Sequence, residues 1–290
     1  MTTYSLRGLI FFCLLFLLSC SKKEMHSSLF EPQQSVGTVS KKLSEASGLV
    51  ASISNPGYFW THNDGRNPAE IFLINDKAEV VMTCKLKNIV NRDWEDITIG
   101  PGPEEGVNYL YVADIGDNDA IYPFKILYRI KEPEGLVEQI EIEEIDKLVF
   151  KLPDATRDSE AIMVDPVTQL FYIISKREKS VRLYEIKFPF TSDTLQVMAL
   201  GKLRFNNIVA ANISSDGSEV LLKDYTEIYY WKRVGNESIP NLLHRDPIKL
   251  NYEPENQGEA IAWKRDGSGF YTLSESSMIT EADFFFYKRK

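Results

Sequence analysis

The sequence predicts an all-β fold, a β-propeller of five four-stranded antiparallel blades closed by a strand near the N-terminus. Three observations carry the prediction. A marker of two small or acidic residues followed by Leu or Ile recurs five times. Each marker opens a set of strand-like segments separated by turn chemistry. Sustained helical periodicity is almost absent from the chain after its leader. The 290 residues are 43% hydrophobic and 12% aromatic, which excludes wholesale disorder and supplies a core.

The markers are Ser47-Gly48-Leu49, Glu95-Asp96-Ile97, Glu160-Ala161-Ile162, Ala211-Asn212-Ile213 and Glu259-Ala260-Ile261, spaced 48, 65, 51 and 48 residues apart. Second strands follow at Tyr58–Asp64, Tyr109–Asp114, Leu170–Lys176, Glu219–Asp224 and Gly269–Glu275. Third strands centre on Ile71-Phe72, Leu127-Tyr128, Leu183-Tyr184, Ile228-Tyr229 and Phe284-Phe285. Asp216-Gly217, Asp266-Gly267 and Asp165-Pro166 supply the turns of three first hairpins. Fourth strands read at Glu79–Leu86, Asp146–Leu152, Leu195–Phe205 and Pro240–Leu250, and the last repeat has none. The segment Ser35–Leu43 is the candidate for the missing outer strand, which would remove an open sheet edge. The long 65-residue spacing contains Glu132–Glu144, read either as a surface hairpin or as part of a degenerate sixth blade. A twisted β-sandwich is the competing architecture, but sandwiches rarely repeat at this length.

Ahead of this domain, Arg7 is followed by the apolar run Leu9–Leu18 and then by Ser19-Cys20. That run is too short for a spanning helix and fits the core of a signal peptide. Leu17-Leu18-Ser19-Cys20 resembles a bacterial lipobox, which implies a signal peptide at 1–19, lipidation of Cys20, a polar tether over 20–34 and a propeller over 35–290. The expected location is the bacterial cell envelope, on the outer membrane, facing the periplasm or the surface. Acyl chains on Cys20 would make the membrane a partner. With Cys13 in the leader and Cys20 lipidated, only Cys84 remains, so the fold has no internal disulfide. The net charge of −9, without a clustered basic stretch, argues against a nucleic-acid partner.

In a propeller the first strand of each blade lines the central channel, so marker residues from distant repeats converge. Glu95, Glu160 and Glu259 are therefore the candidate metal ligands, with Asp114, Asp224 and Glu275 in reach of the same space. Arg92 and Arg157 precede two of the glutamates by three residues and are candidate ion-pair partners. His62, Asn63, Asp64, Asp117, Lys176 and Arg177 are the further rim candidates. Carboxylates in this number suit a hard cation with oxygen ligands, calcium above all. The competing reading pairs the glutamates with arginine in a structural ion-pair ring. Trp60 and Trp94 read as blade-packing residues. The sequence has no Gly-x-Ser-x-Gly elbow, His-Glu-x-x-His, phosphate loop or dinucleotide fingerprint.

The ordered series Thr61-His62-Asn63-Asp64, Asp93-Trp94-Glu95-Asp96-Ile97, Tyr111-Val112-Ala113-Asp114-Ile115-Gly116-Asp117-Asn118, Arg157-Asp158-Ser159-Glu160-Ala161-Ile162 and Gly258-Glu259-Ala260-Ile261 resembles a group of bacterial secreted or lipid-anchored propellers. More distantly, its Glu-x-Ile strands look like those of phytase-like esterases and of calcium-dependent lactonase and nucleotidase propellers. That resemblance implies acidic channel residues on a metal, but the complete motifs of those enzymes are missing here. Three functions follow as expectations. The first is a binding propeller that presents an acidic channel mouth to a ligand or envelope protein. The second is a calcium-dependent hydrolase of phosphoesters or lactones, and the third a purely structural envelope component.

Overall fold

The computed structural model describes residues 29–192, 194–276 and 281–290. The leader, Cys20 and the first part of the tether lie outside the described residues.

The chain enters through β1 (Gln34–Thr38) and a single 3-10 turn at Lys41–Leu43. Blade 1 then runs outward from the channel through β2 (Ala46–Ala51), β3 (Phe59–Asn63), β4 (Glu70–Ile74) and β5 (Val80–Leu86). Blade 2 begins with β6 (Trp94–Pro101), β7 (Asn108–Asp114) and β8 (Lys125–Lys131). The chain next makes β9 (Gln139–Ile142) before completing blade 2 with β10 (Asp146–Phe150). Blade 3 comprises β11 (Ser159–Val164), β12 (Phe171–Ser175), β13 (Arg182–Ile186) and β14 (Val197–Lys202). Blade 4 comprises β15 (Ala210–Ile213), β16 (Glu219–Lys223), β17 (Ile228–Lys232) and β18 (Ile248–Lys249), with helix α1 (Ile239–His244) between the last two. Blade 5 is β19 (Ala260–Trp263), β20 (Gly269–Leu273) and β21 (Asp283–Lys288), with β1 as its outer strand. Five blades with a two-ended closure are thus what the markers predict.

The closing strand differs from its predicted span. Pairing with β21 is confined to Gln34–Thr38, where Gln34 lies opposite Phe286 and Thr38 opposite Asp283. Leu43 instead turns into the core between blades 5 and 1, and a polar-capped turn at Ser40 starts that excursion. Two further expectations are corrected. Glu132–Glu144 is neither a hairpin nor a sixth blade, because β9 adds to blade 1 as a fifth strand, parallel to β5. Pro240–Leu250 supplies the outer strand of blade 4 only at Ile248–Lys249, and its first half is helical. Pro240 cannot donate to a ladder but is tolerated in a first helical turn, and Ser238 caps Asn241 N at 3.4 Å. Ile239, Leu242 and Leu243 of α1 fill the core that a longer strand would otherwise cover.

Apolar side chains gather in five clusters, one at each junction between neighbouring blades. Trp60, Trp94 and Leu110 pack between blades 1 and 2, and Tyr111 and Ile162 between 2 and 3. Ile174 and Val220 meet between blades 3 and 4, Leu221 and Phe270 between 4 and 5, and Phe59 and Tyr271 between 5 and 1. Cys84 is buried in the first of these junctions, and burial pushes its thiol up to about 12, so it packs as a small hydrophobe. The inner strands β2, β6, β11, β15 and β19 neighbour one another in order, and β19 returns to β2.

Candidate metal centre at the channel mouth

A β-bulge sets the direction of the key glutamates. In β6, Trp94 pairs with Asp114 and Asp96 with Ala113, leaving Glu95 unmatched across the ladder. In β11, Ser159 pairs with Ser175 and Ala161 with Ile174, leaving Glu160 unmatched. An extra residue of this kind re-aims its side chain relative to the pleat. The same bulge in β2 leaves out Gly48, so register equates Gly48, and not Ser47, with Glu95 and Glu160. Gly48 has φ +67°, and a Cβ there would lie 2.8 Å from the backbone of Asp96 and Ile97. Blade 1 therefore approaches blade 2 too closely to offer a glutamate at this position.

Neighbouring polar residues lock the inner strands together. Asp96 accepts from Ile97 N at 2.8 Å and from Ile162 N, in blade 3, at 2.9 Å. Ser47 Oγ donates to the Glu95 carbonyl at 2.6 Å, and Asn212 Oδ1 accepts from Trp263 N at 3.1 Å.

Around this frame the carboxylates converge. Asp64, Asp93 and Glu95 form one set whose oxygens lie within 4.8 Å of one another. Asp64, Glu259 and Glu275 form a second, and Glu95, Asp158 and Glu160 a third. The shared members join them into one patch at the mouth where the inner strands begin. Asp64, Asp93 and Glu275 also line an open cavity of about 620 Å³, with Arg66 and Tyr122 on its wall.

One cation enters the patch directly. Lys176 Nζ lies 2.7 Å from Glu160 Oε1 and 3.8 Å from Glu259 Oε1. The Tyr225 hydroxyl donates to Glu259. Asp158 accepts from Arg177 Nε at 2.6 Å and from Asp117 N at 2.7 Å. Glu95 is different: it is 5% exposed and has neither hydrogen-bond donor nor ion-pair partner among the described residues. Gly116 makes room for it, since a Cβ there would stand 2.0 Å from Glu95 Oε1.

The electrostatics follow from this crowding. Burial, then the charges of Glu160, Asp64 and Asp93, hold the Glu95 carboxyl well above the usual range. Burial pushes Glu160 up to about 8 against the opposing pull of Lys176, with Asp158 and Glu259 adding to the rise. Glu275 is pushed up to about 8 by burial and by Glu259, Asp64 and Glu45. Asp64 rises to about 6, chiefly through burial. For Lys176, burial favours the neutral amine, but Glu160 and Glu259 outweigh it and raise the net value.

The remaining candidates are distributed differently. Arg92 pairs with Asp114 at 2.7 Å and lies 4.6 Å from the Tyr122 ring centroid, so both serve the loop beside the mouth. Arg157 turns to Glu178 at 2.6 Å and Asp154 at 3.1 Å, and the cation facing Glu160 is Lys176 instead. Asp224 caps a turn through Thr226 N at 2.7 Å and Glu227 N at 2.8 Å. Asp117 holds its loop through Ile121 N, Tyr122 N and Lys125 Nζ. Asn63 bonds the Lys42 carbonyl at 2.8 Å, and His62 is buried between blades 1 and 2. Asp93, Asp158 and Tyr225 belong to the site without having been singled out from sequence. The shared Asp-x-Glu spacing of Asp93-Trp94-Glu95 and Asp158-Ser159-Glu160 in two repeats was the signal for the first two.

No protein-family model matches the chain, and no curated protein matches it. Among solved structures, a luciferin-regenerating enzyme is similar at 10% identity over 88% of this chain and 94% of that one, with a TM-score of 0.47. A likeness at that distance transfers no activity to this chain.

Proposed function

We propose that this protein is a lipid-anchored binding propeller of the bacterial envelope whose channel mouth takes a divalent cation and, with it, a ligand or protein partner. The observation that carries the reading is Glu95, a buried carboxylate with no partner among the described residues, aimed into a patch of other carboxylates. An all-oxygen donor set of this kind suits calcium. The Asp64, Asp93 and Glu95 set would hold it, because Lys176 already faces Glu160 and Glu259. The cation would supply positive charge for an oxygen-rich ligand at the 620 Å³ cavity. The anchor rests on Leu17-Leu18-Ser19-Cys20, and replacing Cys20 with Ala should shift the protein from the membrane to the soluble fraction.

Thermal unfolding in calcium and in chelator tests the cation site. The melting temperature of the wild type should rise with the logarithm of calcium concentration. Glu95→Gln should abolish that rise and melt higher than the wild type in chelator, because the amide avoids the cost of burying a carboxyl that ionises in the unfolded chain. A wild type indifferent to calcium would leave the purely structural reading. A second reading, a calcium-dependent hydrolase of phosphoesters or lactones, is favoured by Glu160 and Glu275, whose elevated values suit proton exchange near neutrality. Calcium-dependent turnover of model phosphomonoesters or lactones would replace the binding reading with this one.

A further inference from the structure

The opposite end of the channel has the reverse chemistry. From Glu95 to Ile99 along β6 is about 13 Å of extended strand, so the far mouth is well separated from the carboxylates. There the inner strands end around a cavity of about 330 Å³. Its walls include Ile99, Val164 and Ile213, and no Asp or Glu lines it. A volume of this order lies at the lower end of the range for small-molecule sites, which are apolar with a few placed polar groups.

The polar groups that line it are short of acceptors. Asn212 is buried, and its Oδ1 is occupied by Trp263 N, while its Nδ2 donates to nothing among the described residues. The hydroxyl of buried Thr98 likewise has no hydrogen-bond partner among the described residues. At the rim, the exposed Arg265 guanidinium makes no ion pair among the described residues, although the Arg265 carbonyl accepts from Ser215 Oγ at 2.8 Å. Arg265 is the one charged residue on the lining.

We propose that this cavity is a second binding site, for a small organic carboxylate with an apolar body. The body would fill the space between Ile99, Val164 and Ile213, the carboxylate would pair with Arg265, and Asn212 and Thr98 would donate to its oxygens. Charge-assisted bonds from Arg to a carboxylate are the strong members of such a set. The calcium site and this one make independent predictions, since neither shares a residue with the other.

The test is a titration of full-length protein, in chelator, with 2-naphthoate, octanoate and the neutral 2-naphthylmethanol, followed by calorimetry and by the indole N–H resonances. Saturable one-to-one binding of at least one carboxylate is expected, with the resonance of Trp263 on the cavity wall shifting most. Arg265→Gln, an exposed change that leaves the core untouched, should weaken the carboxylates roughly tenfold and leave the alcohol unaffected. Ile213→Trp should block all three probes. If that variant does not fold, the Trp263 shift and the Arg265→Gln selectivity decide. Absence of saturable carboxylate binding overturns the proposal. So does equal weakening of acid and alcohol by Arg265→Gln, or a shift confined to other indoles.

Discussion

His62 sits fully buried between blades 1 and 2, its ring edge-on to Trp94 at 5.6 Å and its Nδ1 2.9 Å from the Asn63 carbonyl oxygen. Its Nε2 has no hydrogen-bond partner among the described residues. Burial lowers its value to about 4, against 6.5 for the exposed ring. The folded protein therefore keeps His62 neutral in a window where the unfolded chain protonates it. Stability from this residue is intact above pH 6.5 and is lost as pH falls towards 4. At pH 5 the loss amounts to about 2 kcal/mol. Denaturant unfolding at pH 7.5 and pH 5 should show the wild type losing about 2 kcal/mol more than His62→Gln between the two. Equal losses in the two proteins would mean that the ring is protonated in the fold. One buried imidazole thus gives the blade 1–2 junction an acid sensitivity that its aliphatic packing does not have.

At the scale of elements, the markers and second strands were legible because each combines a local pattern with a turn that only a few residues make. The third strands were legible too, four carrying an aliphatic-aromatic pair and the fifth Phe284-Phe285, all packed at blade junctions. What escaped was whatever depends on a distant partner. Gln139–Ile142 alternates like a strand, yet nothing local says that it will lie parallel to Thr83–Leu86. The bulges were also hidden, because they are counts of residues in one strand against another. Ser47 therefore looked equivalent to Glu95 when Gly48 is. Pro240 after Ser238 was readable as a helix start, and the strand pattern of the other repeats masked it. At the site, the glutamates were legible from their repeat position. Their counter-ion was not, because Lys176 reaches Glu160 and Glu259 from the end of a second strand. Arg157, although adjacent in sequence, is drawn outward by Glu178 and Asp154.

Across the whole molecule, the ring closes through residues from the two ends of the chain. Phe30 bridges to Arg289 and packs among Tyr230, Trp263 and Phe270, so chain ahead of β1 is already docked on the body. Lys290 N donates to the Leu29 carbonyl at 3.1 Å. A chain ending at residue 281 lacks β21, and β1 then has no strand to pair with. Such a truncation should be rapidly digested under conditions where the full-length protein resists protease. Resistance in the truncated chain would show that four blades and a remnant close without it. The pairing of Gln34 with Phe286 also fixes an order of events during synthesis. The first strand made must wait for nearly the last, and contacts between such distant residues form late because loop closure costs entropy. Until β21 is made the ring stays open, and for that interval β20 stands as a bare sheet edge that another chain could pair with.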